Sequence, residues 1–149
     1  MKKLIVLIST FLLISLMGFT QIIPPDKIPN DIQQAFAKKF PKATDTKYEM
    51  GKTDYEVSFK ENGVAMSANF NTSGKWLETI TVIVKSDLPK KILTSVARNF
   101  AEFTMSVVSK VQNSNNVVYY EMYLKTNTKA YDVRFSPKGV VLEKTILKL

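Results

Sequence analysis

Two glutamates occupy matching positions in two similar segments of the chain. Glu56 lies in YEVSFK (55–60) and Glu121 lies in YEMYLK (120–125). Two carboxylates brought close together could serve as general acid and general base in a hydrolase. Matching positions in related strands do not require such a role, because each glutamate can equally be a polar residue on the solvent side of its strand.

The residue types that most enzymes use are missing from this sequence. The chain contains no histidine and no cysteine, which excludes the commonest general base, a thiol nucleophile, a disulfide and the usual zinc ligands. The segment NTSGK (71–75) has a single glycine and lacks the spacing of a phosphate-binding loop. We therefore expect a protein that is not an enzyme, with no catalytic residues, no cofactor and no metal site.

The first 20 residues have the pattern of an export signal. Two lysines precede an apolar segment of about 15 residues, which is shorter than the roughly 20 residues of a membrane-spanning helix. Cleavage before Gln21 would place the small residues Gly18 and Thr20 at the usual recognition positions. We predict a signal peptide over 1–20 and a periplasmic or secreted protein that is not a lipoprotein, since no cysteine is available for acylation. An uncleaved amino-terminal anchor is the alternative.

The positive charge is spread along the chain. The formal net charge is +8, yet the lysines alternate with acidic residues. This pattern is typical of a solvated surface and not of a nucleic-acid interface. We therefore expect no nucleic-acid partner. The alternative to a purely solvated surface is that the lysines weakly attract acidic partners or anionic envelope surfaces.

Two segments, 28–40 and 88–100, predict amphipathic helices. Their apolar residues recur every four positions, which forms a stripe along one helix face. These residues are Ile28, Ile32, Phe36 and Phe40 in the first segment and Leu88, Ile92, Val96 and Phe100 in the second. Each segment has a proline in its first turn, and Ser86 or Asp87 can cap the second helix.

Short alternating segments follow each predicted helix. Tyr55, Val57 and Phe59 alternate with polar residues, which indicates a strand with one buried face. Four strands are predicted in each half, at 44–50, 54–60, 64–70 and 76–85, and at 104–112, 117–125, 129–136 and 140–147.

These elements predict an α+β fold in a single domain over 21–149. Each half is a helix followed by a four-stranded antiparallel meander, so the domain is a tandem repeat of about 26–85 and 86–147. The two helices should pack on one face of a long antiparallel sheet, because neither half is large enough to bury its apolar stripe alone.

The order of these segments resembles a known family. The pattern IP-x2-I-x3-F-x3-FP, YEVSF, NG, F-x3-GKWLET, LP and YYE, over about residues 26–147, is similar to that of PepSY-like, β-lactamase-inhibitor-like (BLIP-like) domains of exported bacterial proteins. The resemblance implies a curved antiparallel sheet with helices on one side and an open opposite face. In the β-lactamase inhibitory proteins of this architecture, the open face grips the target enzyme. Those inhibitors carry disulfides, which this chain cannot form.

Aromatic residues and one arginine mark a candidate contact surface. Tyr119 and Tyr123 lie on the predicted outward side of a strand, and tyrosine, tryptophan and arginine often anchor protein interfaces. Trp76 joins this side if the preceding turn has four residues, and faces the core if the turn is one residue longer. Tyr48 and Arg134 complete the predicted partner-binding set. Cross-strand packing is the alternative role for the tyrosines.

We therefore predict an exported binding module that engages another envelope or secreted protein through its open sheet face. The alternative is a saccharide- or peptide-binding module of the cell envelope. Asn113, Asn115 and Asn116 could contribute polar contacts to such a ligand, or form only a flexible turn. No second apolar segment could span a membrane after signal removal, and the oligomeric state is open.

Overall fold

The computed structural model describes residues 21–148, so the predicted signal peptide lies outside the described residues. This part of the chain contains two α-helices and nine strands. In chain order they are β1 (Gln21–Ile23), α1 (Asn30–Lys39), β2 (Thr44–Met50), β3 (Asp54–Glu61), β4 (Val64–Asn71), β5 (Trp76–Val82), α2 (Lys90–Asn99), β6 (Thr104–Asn113), β7 (Val118–Lys125), β8 (Ala130–Phe135) and β9 (Val141–Leu147). A 3-10 helix precedes each α-helix, at Pro25–Lys27 and Lys85–Asp87.

All nine described strands form one antiparallel sheet in chain order, with β1 and β9 at its edges. The predicted α+β class and all eight predicted strands are thus present. The short β1 was not expected, because three residues are too few to show an alternating pattern. The fifth strand ends at Val82 instead of residue 85, because Lys85–Asp87 form a 3-10 helix.

The start of α2 differs from the prediction. Neither Ser86 nor Asp87 caps it, because both lie in the preceding 3-10 helix and no side chain caps α2. Pro89 is the residue before the first helical turn, with φ −53° and ψ 135°. Proline suits this end of a helix because its missing N–H would have no intrahelical partner there.

Each helix covers its own cluster of apolar side chains. The first cluster lies between α1 and strands β2 to β4, and the second lies between α2 and strands β6 to β8. Cross-strand register links Ala68 to Thr79, then to Gln112 and Val118. Because paired residues share a sheet face and both ends of this row pack on a cluster, α1 and α2 lie on the same side of the sheet.

Two glycines allow turns of the sheet to touch the helices. Gly74 and Gly139 have φ of +78° and +79°, which side-chain-bearing residues rarely adopt. A Cβ at Gly74 would lie 3.0 Å from the carbonyl oxygen of Asp31, and one at Gly139 would overlap with the carbonyl oxygen of Lys91. These contacts hold the first turn of each helix against a strand turn.

Candidate functional site

The open face is the side of the sheet opposite α1 and α2, and no described helix packs on it. It is acidic, although the whole chain is positively charged. The following seven of the 13 acidic residues lie on it: Glu49, Asp54, Glu56, Glu78, Glu121, Asp132 and Glu143. Several polar side chains on this face are nearly inaccessible to solvent, including Asn69 at 1% exposure and Glu78 at 7%.

Three of the five predicted contact residues lie on the open face. Tyr119 pairs across the sheet with Val111, Tyr123 pairs with Asp132, and Arg134 lies beside Tyr119 with its Cζ 5.3 Å from the ring centroid. Both tyrosines are half-buried, so part of each ring faces solvent. Their binding of a partner stays a prediction.

Trp76 lies on the helix side, so it is not part of the open face. The Asn71 side chain accepts hydrogen bonds from the backbone of Ser73 and Lys75, which makes the turn one residue longer. The turn therefore pairs Trp76 with the core residue Phe70, and a bulge beyond this pair brings Glu78 opposite Asn69. Its ring lies beneath Lys39, whose Nζ is 3.6 Å from the ring centroid. The longer-turn alternative is the correct one.

Tyr48 also lies on the helix side, and its expected place on the open face was wrong. It pairs with the core residue Val57 and is only 9% exposed. Its ring is 6.0 Å from that of Phe36 on α1. The sequence of β2 shows no alternation of apolar and polar residues, so it does not predict which side of the sheet Tyr48 faces. The pairing of β2 with β3 decides this.

Arg134 connects two carboxylates on the second half of the open face. Its Nε donates to Glu121, and its Nη1 donates to Glu143 Oε2 at 3.1 Å. Arg134 is 8% exposed, and the three residues lie directly opposite one another on β7, β8 and β9. A guanidinium suits this position because its planar donors can reach two separate acceptors.

Glu78 connects the two halves of the open face. Its Oε1 accepts a hydrogen bond of 3.1 Å from Asn69 Nδ2, and its Oε2 accepts one of 3.1 Å from the Tyr119 hydroxyl. Since Tyr119 also stacks near Arg134, a continuous polar network runs from β4 to β9. Sequence reasoning missed Asn69, Glu78 and Glu143. The repeat could have pointed to these residues, because Glu78 and Glu143 lie 65 positions apart, as do Asn69 and Arg134, and therefore occupy matching positions in the two halves.

Two carboxylates on this face ionise close to neutral pH. Burial raises the pKa of Glu56 to about 7, with further increases from Glu49, Asp54 and Glu78 and an opposing effect of the Ser67 hydroxyl. Burial likewise raises the pKa of Glu121 to about 7, although Arg134 acts to lower it. The charge of the open face therefore changes with pH in the physiological range.

The register does not bring Glu56 and Glu121 together for catalysis. They lie on β3 and β7, and four inter-strand steps of roughly 4.8 Å separate them by about 19 Å along the sheet. Paired catalytic carboxylates in glycosidases are about 5 to 9.5 Å apart. Among residues 21–148, no group of three or more acidic side chains is placed to hold a metal ion. No helix in the described range is long and apolar enough to cross a membrane.

A sequence profile of the family described as "Putative beta-lactamase-inhibitor-like, PepSY-like" matches residues 19–68 and 53–143 of the chain. No curated protein sequence matches significantly.

Solved bacterial structures share the fold. A BLIP-like protein from Bacteroides fragilis is 23% identical, with a TM-score of 0.73 over 85% of this chain and 89% of that one. A protein from Bacteroides eggerthii described as "putative periplasmic" is 22% identical, with a TM-score of 0.75 over 79% of this chain and 88% of that one. A DUF2874 family protein from Bacteroides uniformis is 19% identical, with a TM-score of 0.75 and the same two coverages. At these identities the likeness shows the fold.

Proposed function

This chain belongs to the family of PepSY-like, β-lactamase-inhibitor-like proteins, and on that premise we propose that it is an exported, non-enzymatic module that binds another protein. The partner is a protein of the envelope or the secreted fraction, and it docks on the open face. The observation that carries this proposal is the polar network from Asn69 to Glu143 on a sheet face that no described helix covers.

The composition of this network supports protein recognition. Buried charged groups cost stability, and apolar replacements of similar volume are often neutral or stabilising. A face that only needed to be stable would be better served by apolar or fully solvated residues. Partly exposed Tyr119 and Tyr123, beside buried Arg134, supply the residue types that dominate binding energy at protein interfaces.

Export is supported by the B. eggerthii neighbour that is described as periplasmic. The predicted signal peptide would direct the chain across the membrane. An exported protein meets its partner outside the cytoplasm.

The domain architecture is also part of this proposal. We infer that the two halves are copies of one unit within a single domain. In support, Ile22 pairs with Glu49 and Val82 pairs with Ser109, an identical pairing shifted by 60 positions. The three-residue β1 thus corresponds to the end of β5, and a 3-10 helix and an α-helix follow each.

The test is capture of proteins from the native envelope fraction on the purified protein, followed by affinity measurement with the recovered partner. One variant carries Tyr123→Ser and Ser58→Tyr, which exchange the residue types at matching open-face positions. The matched control is Thr94→Ala on the exposed surface of α2.

We expect the open-face variant to weaken binding at least tenfold and the control to leave it unchanged. Equal binding by both variants contradicts the proposed face. Binding of glycan or peptide alone, with no protein, contradicts the proposed partner class and favours the saccharide- or peptide-binding alternative.

A further inference from the structure

The two halves of the open face carry the same pair of carboxylates around different central residues. On β7, β8 and β9, the residues Glu121, Arg134 and Glu143 lie directly opposite one another. On β3, β4 and β5, the matching row is Glu56, Asn69 and Glu78, which we call the Asn69 triad. Each residue of the Asn69 triad lies 65 positions before its counterpart.

The local geometry of the two rows is also the same. A bulge follows the central residue in both, between Asn69 and Phe70 and between Arg134 and Phe135. Asn69 Nδ2 donates to Glu78 at 3.1 Å, and Arg134 Nη1 donates to Glu143 at 3.1 Å. The main difference is therefore charge, because an amide occupies the place of a guanidinium.

As a result, no described salt bridge within residues 21–148 involves Glu56 or Glu78. The described salt bridges join Lys60 to Asp45 and Arg134 to Glu121 and to Glu143. Glu78 instead accepts hydrogen bonds from the neutral side chains of Asn69 and Tyr119. Partial burial of two carboxylates without a counter-charge is unfavourable, and a cation supplied from outside would relieve it.

A second observation at the same place concerns a buried hydroxyl group. Ser67 is 4% exposed and lies two residues before Asn69 on the same face of β4. Its hydroxyl is close enough to Glu56 to lower the pKa of that carboxyl, but it makes no hydrogen bond of ordinary geometry. A buried hydroxyl without such a bond is costly, and a donor from a ligand would satisfy it.

We propose that the Asn69 triad binds the guanidinium group of an arginine that the partner protein presents. This inference rests on the proposed function and adds the chemistry of the contact. Arginine is favoured over lysine because Arg134 reaches its two carboxylates through different nitrogens of one planar group. The partner's arginine would donate hydrogen bonds to Glu56 and Glu78, as Arg134 donates to Glu121 and Glu143.

Binding of a cation should depend on pH. Glu56 has a pKa of about 7, and the charged groups facing it are Glu49 from β2, Asp54 from its own strand and Glu78 from β5. All three are acidic, so a bound guanidinium favours the ionised form of Glu56 and its binding releases a proton. Affinity should therefore rise between pH 6 and pH 8.

The first test uses two peptides, acetyl-Gly-Arg-Gly-amide and its citrulline counterpart, which has the same shape without the charge. Carbon-detected NMR follows the side-chain carboxyl signals of Glu56 and Glu78 up to the solubility limit of each peptide. We expect arginine-dependent shifts that the citrulline peptide does not cause. The backbone amide signals of Ser67 and Asn69 should shift with them, and these amide signals should not respond in a Glu56→Gln, Glu78→Gln variant. Equal responses to the two peptides, no response to either, or a stronger response to a lysine peptide would overturn the proposal.

The second test replaces the missing cation from within. Asn69→Arg should lower the pKa of Glu56, as Arg134 acts to lower that of Glu121, and abolish the response to the arginine peptide, whereas Asn69→Gln should do neither. An unchanged pKa of Glu56 in folded Asn69→Arg, confirmed by circular dichroism, contradicts the proposal.

These outcomes separate the inference from the proposed function. A protein partner that binds the open face with equal affinity when Glu56 and Glu78 are both glutamine overturns the arginine contact and leaves the proposed function intact. Absence of any protein partner contradicts the proposed function, while the peptide response still reports on the Asn69 triad.

Discussion

The Tyr119 hydroxyl donates a 3.1 Å hydrogen bond to Glu78 Oε2. The two residues lie on β7 and β5, so the bond spans β6 and joins the two halves of the open face. Burial and the neighbouring acidic groups raise the pKa of Tyr119, which keeps the hydroxyl protonated as a donor. The bond fixes the Tyr119 ring beside Arg134 and fixes Glu78 beside Asn69.

Tyr119→Phe removes this hydrogen bond and keeps the ring. We expect a loss of about 1 to 2 kcal/mol in the free energy of unfolding, because Glu78 loses one of its donors in a buried position. Urea denaturation followed by circular dichroism measures the change. Tyr123→Phe serves as the control on the same strand and should change stability by less than about 0.5 kcal/mol. Equal effects of the two substitutions would contradict the role assigned to the Tyr119 hydroxyl.

Glu56→Gln should change how stability depends on pH. The folded-state pKa of Glu56 is raised from 4.5 to about 7, so its contribution to stability is complete below pH 4.5 and is lost as pH rises through about 7. The glutamine variant lacks this loss and should gain about 1 to 2 kcal/mol over the native protein between pH 5 and pH 8, after allowance for solvent screening.

Urea denaturation at pH 5, 6, 7 and 8 measures this difference, with Glu102→Gln on an exposed turn as the control. A difference between Glu56→Gln and the native protein that stays constant with pH would show that Glu56 has an ordinary pKa.

Gly139→Ala should destabilise the domain more than Gly63→Ala. Both glycines have positive φ, so both alanines introduce backbone strain of roughly 1 kcal/mol. A Cβ at Gly139 also overlaps with the Lys91 backbone on α2, whereas a Cβ at Gly63 meets no atom within 4 Å. We expect Gly139→Ala to cost at least about 2 kcal/mol more, measured by thermal unfolding. Similar melting temperatures for the two variants would contradict the close contact between the turn and α2.

Ile92→Ala tests whether the two halves unfold together. Ile92 on α2 is fully buried, and its replacement should cost about 3 kcal/mol. The single tryptophan, Trp76, lies in the other half and reports on it by fluorescence. If one sheet makes the domain cooperative, fluorescence and circular dichroism should shift to lower urea by the same amount. A fluorescence transition unchanged by Ile92→Ala would show that the halves unfold independently. Ile32→Ala in the first half is the matched substitution.

The sequence was sufficient to predict the elements because their patterns are local. The stripe from Ile28 to Phe40 and the alternation of Tyr55, Val57 and Phe59 each report which side of an element is buried, and the structure places all of them in the first core cluster. These patterns need no knowledge of distant contacts.

The open face could not be predicted to the same extent, because it depends on register. One side-chain hydrogen bond of Asn71 lengthens a turn by a residue and moves Trp76 to the opposite side of the sheet. The network through Glu78 depends on the alignment of β4 with β5 and of β5 with β7 across β6. Such alignments across several strands leave no signal within any single segment.

Site-specific photo-crosslinking shows whether the open face of the sheet contacts a partner protein. The photoreactive residue p-benzoylphenylalanine replaces Tyr123 on the open face in one variant and Thr94 on α2 in a second variant, and each is irradiated with the native envelope fraction. We predict that a protein is crosslinked from position 123 and not from position 94. Crosslinking to a protein from position 94 alone, or to no protein from position 123, would contradict the open face as the binding surface.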